Sequence, residues 1–418
     1  MRLSRVVQNL KLQLFTGTDC TLCLHFKRQL QAVLPQGVGL EEVDIRSPKG
    51  SAWFEAYKHD IPVLSLNGRE VCFSAQKGMM PPASANGKRR LVVVHGGAGE
   101  QKGVSAEAAA ALRKACKAGQ SGESPVDGVA AALSILEESA AFNAGLGGNL
   151  TTAERVELEA GLMEGSSLNF AGVGAVECVP SPSQAALFML HSQQAGGSSN
   201  GLVSPMTLVG SGVRALLELH RPQLLQPFKP SERARAGHQR ALRSVAQRLH
   251  SLDTVGALVL EEESGAIAGG SSSGGFLLKT PGRLGPAAQF GAATWAQQTE
   301  EGSVAVAVSG CGEAIVRTQL ARTVAQFLLS AISDEDPGPD WGLVKLFRRE
   351  FVESPLLRPL RPEHRKAGVI ALLQCREDEC TQLLCLHNTS SMLFASSHAS
   401  PILSKGDGSI TFSVYPCR

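Results

Sequence analysis

The chain has 418 residues, a formal net charge of +2, 43% hydrophobic and 5% aromatic residues, and 44 glycines. That length predicts two or three domains, while near-neutrality and few aromatics exclude a general nucleic-acid binder, which needs a basic face and stacking platforms. Ten cysteines without a secretory leader predict a reducing intracellular compartment, cytoplasm or nucleus, and no apolar run reaches the ~18 residues of a membrane helix.

From the N-terminus, Leu12-Gln13-Leu14-Phe15 reads as a strand, Thr16 to Asp19 as a turn, and Cys20-Thr21-Leu22-Cys23 as a thiol pair opening a helix. Ile61 to Leu64 reads as a strand entered through Pro62, and Leu64 to Val71 as a hairpin turning on Asn67-Gly68. A helix N-terminus lowers the pKa of the first thiol, so Cys20 and Cys23 suit a reversible disulfide. A metal half-site or a chance pairing competes with that redox reading. The order of elements resembles a glutaredoxin-like domain, which implies a small thioredoxin-like α/β domain over residues 1–75. The closing helix of such a domain has no counterpart, because residues 76–90 read as a linker of Met, Pro, Ser, Asn-Gly and Lys-Arg-Arg.

Farther along, Ser231 to Leu249 carries Ala234, Ala241, Leu242, Val245 and Leu249 at helical spacing, interleaved with Arg233, Arg235, Arg240, Arg243 and Arg248. This predicts a basic amphipathic helix capped by Ser231, either a solvated face or a positive patch for import or an acidic partner. Next comes Ser251-Leu252-Asp253-Thr254-Val255-Gly256-Ala257. Two short β-branched runs, Val255 to Leu260 and Val304 to Val308, read as buried strands. Three small-residue loops follow strand-like runs, at 269–275, 279–285 and 309–313, and their ends are expected to converge at Thr254. A threonine hydroxyl is a weak nucleophile, but cleavage of the Asp253–Thr254 bond would give Thr254 a free α-amine. That amine titrates at about 7.7 to 8.0 and can act as the base for the hydroxyl beside it. An ordinary turn entering a sheet is the competing reading of the heptad.

With the motifs Val92-Val93-Val94-His95-Gly96-Gly97-Ala98-Gly99, Phe142 to Asn149 and Ser167 to Phe170 added, residues 90–418 resemble the asparaginase-type family of N-terminal nucleophile hydrolases. The threonine-aspartase (taspase) branch is the most similar, because Asp253 stands where other family members usually have Gly. The resemblance implies a four-layer αββα sandwich, cut into an α part, 91–253, and a β part, 254–418, that pair as a heterotetramer. It implies Thr254 as nucleophile, Ser273 as the hydroxyl that orients it, Ser309 and Gly310 as oxyanion donors, and Asn149 as a support of self-cleavage. A glycine-serine loop and a left-handed turn are the bland readings of Ser273 and Asn149.

It further implies that Arg283 clamps a substrate carboxylate, a task for a bidentate fork. Three residues on, asparaginases carry an aspartate that holds the α-amine of a small substrate, and here Pro286 takes its place. The expected partners are therefore proteins cut after aspartate, among them large nuclear regulators. The family loop that holds a sodium ion through backbone carbonyls corresponds to Leu136, Glu137, Ser139 and Phe142, where a plain helix end is the alternative. Scattered histidines, and Cys375, Cys380 and Cys385 without matching ligands, predict no catalytic metal or other cofactor. Three functions stay open: a self-cleaving threonine endopeptidase, an isoaspartyl peptidase or L-asparaginase, and a thiol oxidoreductase or inert scaffold.

Overall fold

The computed structural model describes residues 12–16, 27, 40–48, 63–66, 69–71, 89–101, 103–194, 203–243, 254–333, 339–377 and 380–417. The chain divides into two compact units, one formed mainly by residues 1–79 and the other mainly by 80–413. The fold is mixed α/β.

In the first unit, β1 (Leu12–Thr16), β2 (Leu40–Asp44), β3 (Val63–Leu66) and β4 (Arg69–Val71) form a sheet of order β2-β1-β3-β4. β1 pairs in parallel with β2 and antiparallel with β3. A parallel pair requires a crossover, whereas β3 and β4 pair antiparallel with Leu66 opposite Arg69, and Asn67 and Gly68 between them lie outside the described residues. Cys20, Cys23 and Pro62 lie outside the described residues.

The second unit holds two sheets. In the eight-stranded sheet, of order β16-β15-β5-β9-β10-β6-β7-β8, the strands are β5 (Arg90–Gly99), β6 (Leu158–Glu164), β7 (Phe170–Val176), β8 (Thr207–Val209), β9 (Val255–Glu261), β10 (Ile267–Ser273), β15 (Ser391–Ser396) and β16 (Ala399–Lys405). A five-stranded sheet runs β11 (Thr294–Gln298), β12 (Gly302–Gly310), β13 (Ala367–Cys375), β14 (Cys380–His387) and β17 (Thr411–Cys417). Helices α1 (Ala106–Gly119), α2 (Pro125–Glu137) and α3 (Pro182–Gln194) pack on the larger sheet, and β10 meets β11 and β12 of the smaller one. Further helices are α4 (Ser211–His220), α5 (Glu232–Arg243), α6 (Gly312–Thr318) and α7 (Leu320–Ser333), the last packed on β12.

Local chemistry sets these boundaries. α2 begins with Ser124 and Asp127 capping each other reciprocally and Pro125 in its first turn. Its inward face, Val126, Val129, Leu133 and Leu136, is fully buried with Ala257, Val259 and Ala268 of the strands beneath. Full burial of each such side chain is worth about 1.5–3 kcal/mol.

The stretch expected as a glycine-rich loop, 269–275, is for the most part the buried strand β10. Small residues are required there by contacts from outside the segment: a Cβ on Gly270 would come within 2.5 Å of Leu162 Cδ2 and 2.6 Å of Val129 Cγ1. The basic helix is present as α5 over Glu232–Arg243, with the Ser231 hydroxyl accepting the Ala234 N–H at 3.2 Å, whereas Val245, Arg248 and Leu249 lie outside the described residues. Ala234 and Ala241 are buried as expected, but Leu242 is 57% exposed. Its place on the apolar face was read from spacing alone, and the described residues leave more than half of it uncovered. Among the described residues no helix is long and apolar enough to cross a membrane.

Candidate active site

Thr254 immediately precedes β9 in the middle of the larger sheet, 5% exposed, at the edge of a pocket of about 520 Å³. β9 sits between β5 and β10, so whatever enters the pocket meets the Thr254 hydroxyl on a rigid base. Thr254 Oγ1 lies 3.3 Å from Ser273 Oγ, at the end of β10. The Ser273 hydroxyl also accepts the Gly275 N–H at 3.0 Å, which fixes its lone pair and leaves its proton for another partner. The Thr254 N–H donates to Ser309 Oγ at 3.2 Å, and the same oxygen accepts the Ala98 N–H at 3.1 Å. β5, β9, β10 and β12 each deliver one element of the cluster.

Gly310 ends β12 with φ +144°, a conformation that favours glycine, and lines the pocket with Cys311 and Gly312. Asn149 lies close by: its Nδ2 donates to the Gly275 carbonyl at 2.9 Å, and its backbone N–H donates to Asn143 Oδ1 at 2.9 Å. Asn149 is absent from the residues of positive φ, so the left-handed turn is not its reason for being Asn. Asn143 Nδ2 donates to the same Gly275 carbonyl at 2.7 Å. The two amides thus pin the backbone that follows Ser273.

Arg283 enters from a turn at Gly282 (φ +81°). Its Nε and Nη2 donate to Glu313 Oε1 and Oε2 at 3.0 and 2.8 Å, and its guanidinium carbon stands 4.4 Å from the Phe276 ring centroid. Pro286 lines the same pocket and opens a short 3-10 turn. Beneath Gly275 the buried Lys279 ammonium donates to the Glu157 carbonyl at 2.7 Å. Burial pulls its pKa below the usual lysine range, with the attraction of Glu159 opposing. Burial also raises the Cys311 thiol.

The loop after α2 curls tightly. Leu136 O accepts the Ser139 N–H, Ala140 O accepts Arg233 Nη1 at 3.4 Å, and Gly145 and Gly147 lie against the carbonyls of Glu137 and Phe142. The Glu137 carboxyl turns away into the interior, where the Ser183 hydroxyl and N–H donate to it at 2.7 and 3.1 Å. Its pKa is pushed up to about 7 by burial, against the pull of the serine hydrogen bonds. No group of three or more His, Cys, Asp or Glu suited to a metal exists among the described residues.

Thr254, Ser273, Ser309, Gly310, Asn149 and Arg283 are therefore brought to one place, whereas Asp253 lies outside the described residues. Sequence reasoning assigned nothing to Asn143, Glu313 and Cys311, although each stands in a quoted motif. Leu360, which precedes a short 3-10 turn, and Glu363 and His364 within that turn (Pro362–His364) complete the pocket wall, and sequence reasoning assigned them nothing.

The chain matches the family described as Asparaginase over residues 88–334 and the Glutaredoxin-like domain over residues 11–80. It is 32% identical to the plant-type L-asparaginase of Pyrobaculum calidifontis over 241 residues, 55% of this chain and 77% of that protein. It is 29% identical to the isoaspartyl peptidase of Escherichia coli over 262 residues, 57% and 77% of the two chains. The isoaspartyl peptidase/L-asparaginase of Rattus norvegicus matches at 29% over 242 residues, 56% and 69%.

Proposed function

The chain belongs to the asparaginase family of hydrolases, carrying a glutaredoxin-like domain ahead of the hydrolase part, and from that premise we propose that it is a threonine endopeptidase that cuts itself before Thr254 and then cuts proteins after aspartate. The observation that carries the reading is the pairing of Thr254 Oγ1 with Ser273 at 3.3 Å and of Thr254 N with Ser309 at 3.2 Å beside a pocket that contains Arg283.

In maturation, Thr254 Oγ1 attacks the Asp253 carbonyl carbon, the peptide C–N bond breaks as the acyl group moves to oxygen, and water hydrolyses the ester. The nitrogen that donated to Ser309 becomes a free amine and takes the hydroxyl proton in the next cycle. Ser273 orients the hydroxyl, and Ser309 with the Gly310 N–H faces the developing oxyanion, where one donor is worth about 3 kcal/mol. Asn149 and Asn143 hold the Gly275 backbone in place for both steps. Arg283 takes the aspartate carboxylate.

The reading extends to a four-layer αββα arrangement, supported by helices on the larger sheet and α7 on the smaller, and to a domain division at residues 75, 90 and 253. It also extends to assembly of two cleaved chains as a heterotetramer, to an intracellular setting without nucleic acid or membrane, and to a structural sodium ion on the carbonyls of Leu136, Glu137, Ser139 and Phe142. No other cofactor is needed for the chemistry described.

The second reading, an isoaspartyl peptidase or L-asparaginase, is favoured by the names of the relatives. Against it stands Pro286 in the pocket, which cannot hold an α-amine. Intact mass and N-terminal sequencing of the purified chain beside Thr254→Ala test maturation, with a new N-terminus at Thr254 expected in the wild type alone. Turnover of an internal aspartyl peptide, with free asparagine and an isoaspartyl dipeptide spared, is the expected specificity, and the reverse order establishes the second reading.

A further inference from the structure

The Arg283 guanidinium is held by protein on its face and on one edge. Phe276 covers the face, and Glu313 takes the Nε–Nη2 edge with both carboxylate oxygens. Gly312 makes that approach possible, since a Cβ there would stand 2.4 Å from Nη2. Nη1 has no hydrogen-bond partner among the described residues, and two glycines flank it: a Cβ would lie 3.3 Å away at Gly275 and 2.6 Å away at Gly285. A guanidinium can bind a carboxylate through two donors either side-on, by Nε and Nη2, or end-on, by Nη1 and Nη2. Here the side-on edge is already occupied by protein.

We propose that Glu313 is a positioning residue that fixes Arg283 so that a substrate carboxylate is read end-on, through Nη1 and Nη2, and that this clamp sets the preference for aspartate over asparagine at the cleaved bond. The proposal rests on the assignment of Arg283 to the substrate carboxylate made above. Two effects of Glu313 oppose each other. Its charge offsets part of the arginine's attraction, while its grip removes the rotameric freedom of a long side chain. Glu313 is 44% exposed and its charge is screened by water, whereas Arg283 is 13% exposed and its orientation matters at short range, so positioning dominates.

The test is steady-state kinetics on two internal peptides that differ only in Asp or Asn at the cleaved residue. The chains are wild type, Glu313→Ala, Glu313→Gln, Gly312→Ala, Arg283→Ala and the Glu313→Ala/Arg283→Ala double variant. In Glu313→Ala, KM for the aspartyl peptide rises about 10- to 100-fold, and the loss is about 10-fold greater for the aspartyl than for the asparaginyl peptide. Glu313→Gln, which keeps one acceptor for Nε, falls between Ala and wild type. Gly312→Ala displaces the fork without removing a charge and moves selectivity in the same direction. The double variant is no worse than Arg283→Ala, because both changes remove one interaction.

Equal losses on both peptides, a fall in KM for the aspartyl peptide, or additive effects in the double variant overturn the proposal. Failure of the wild type to cut either peptide overturns the endopeptidase reading instead. The clamp is then read by calorimetric titration with L-aspartate: weaker binding to Glu313→Ala than to wild type supports it, and equal binding, or none to wild type, overturns it.

Discussion

Thr254 is proposed to combine nucleophile and base in one residue, so its substitutions separate the two steps. Thr254→Ala is expected to stay a single uncut chain, and Thr254→Ser, which keeps the hydroxyl but not the methyl that restricts its rotamer, to mature about 10-fold more slowly by intact-mass time course. Ser309→Ala strips the acceptor from the Thr254 and Ala98 amides and should lower kcat about 100-fold. Glu137 gives a pH signature. Its carboxyl, raised by burial from 4.5 to about 7, keeps its proton in the folded chain while the unfolded chain releases it. Stability is therefore fully present below pH about 4.5 and declines as the pH rises through about 7, by about 3 kcal/mol in all. Denaturant titrations from pH 5 to about 8 should show that slope in the wild type, and Glu137→Gln should flatten it. His95 acts in the opposite sense: burial lowers it from 6.5 to about 3, so its contribution is present above pH 6.5 and lost as the pH falls toward 3.

At the scale of elements, β9 and β12 were legible because β-branched runs of strand length announce buried strands, and α5 because a cap and a 3.6-residue period announce a helix. β10 was not legible. Ile267-Ala268-Gly269-Gly270-Ser271-Ser272-Ser273 lacks strand propensity and is held in the sheet by its neighbours on both sides and by α2 above. The same crowding between the sheets makes Gly256 sensitive, since a Cβ there would stand 2.3 Å from His95 Nε2 and 2.9 Å from the Ala307 Cβ. Gly256→Ala should destabilise the chain by about 1–3 kcal/mol, read as a lower denaturation midpoint at unchanged m-value.

For the molecule as a whole, the two units are proposed to carry separate chemistries. Cys20→Ser is expected to abolish exchange with a small-molecule disulfide while self-cleavage before Thr254 persists, as measured on one preparation by thiol assay and intact mass. Loss of both together would show that the units depend on one another. The parallel pair β1–β2 and the antiparallel pair β3–β4 follow the order expected of a glutaredoxin-like domain. The thiols themselves lie outside the described residues, so their chemistry is left to that assay.

By itself the sequence determined the family, the position of Thr254 before a strand, the hydroxyl and glycine residues brought together at the candidate site and the Ser231 cap of α5. Each of these is written in local spacing and side-chain chemistry, which survive without knowledge of the rest of the chain. The tertiary structure alone decided that a glycine-serine stretch is a central strand, that Asn143 and Asn149 converge on one carbonyl, and that Arg283 is held by Glu313 while Glu363 and His364 close the wall. The side-chain meetings among them join residues between 30 and 132 positions apart, from Arg283 with Glu313 to Asn143 with Gly275. Packing of sheets and helices fixes such meetings, and no local pattern records them.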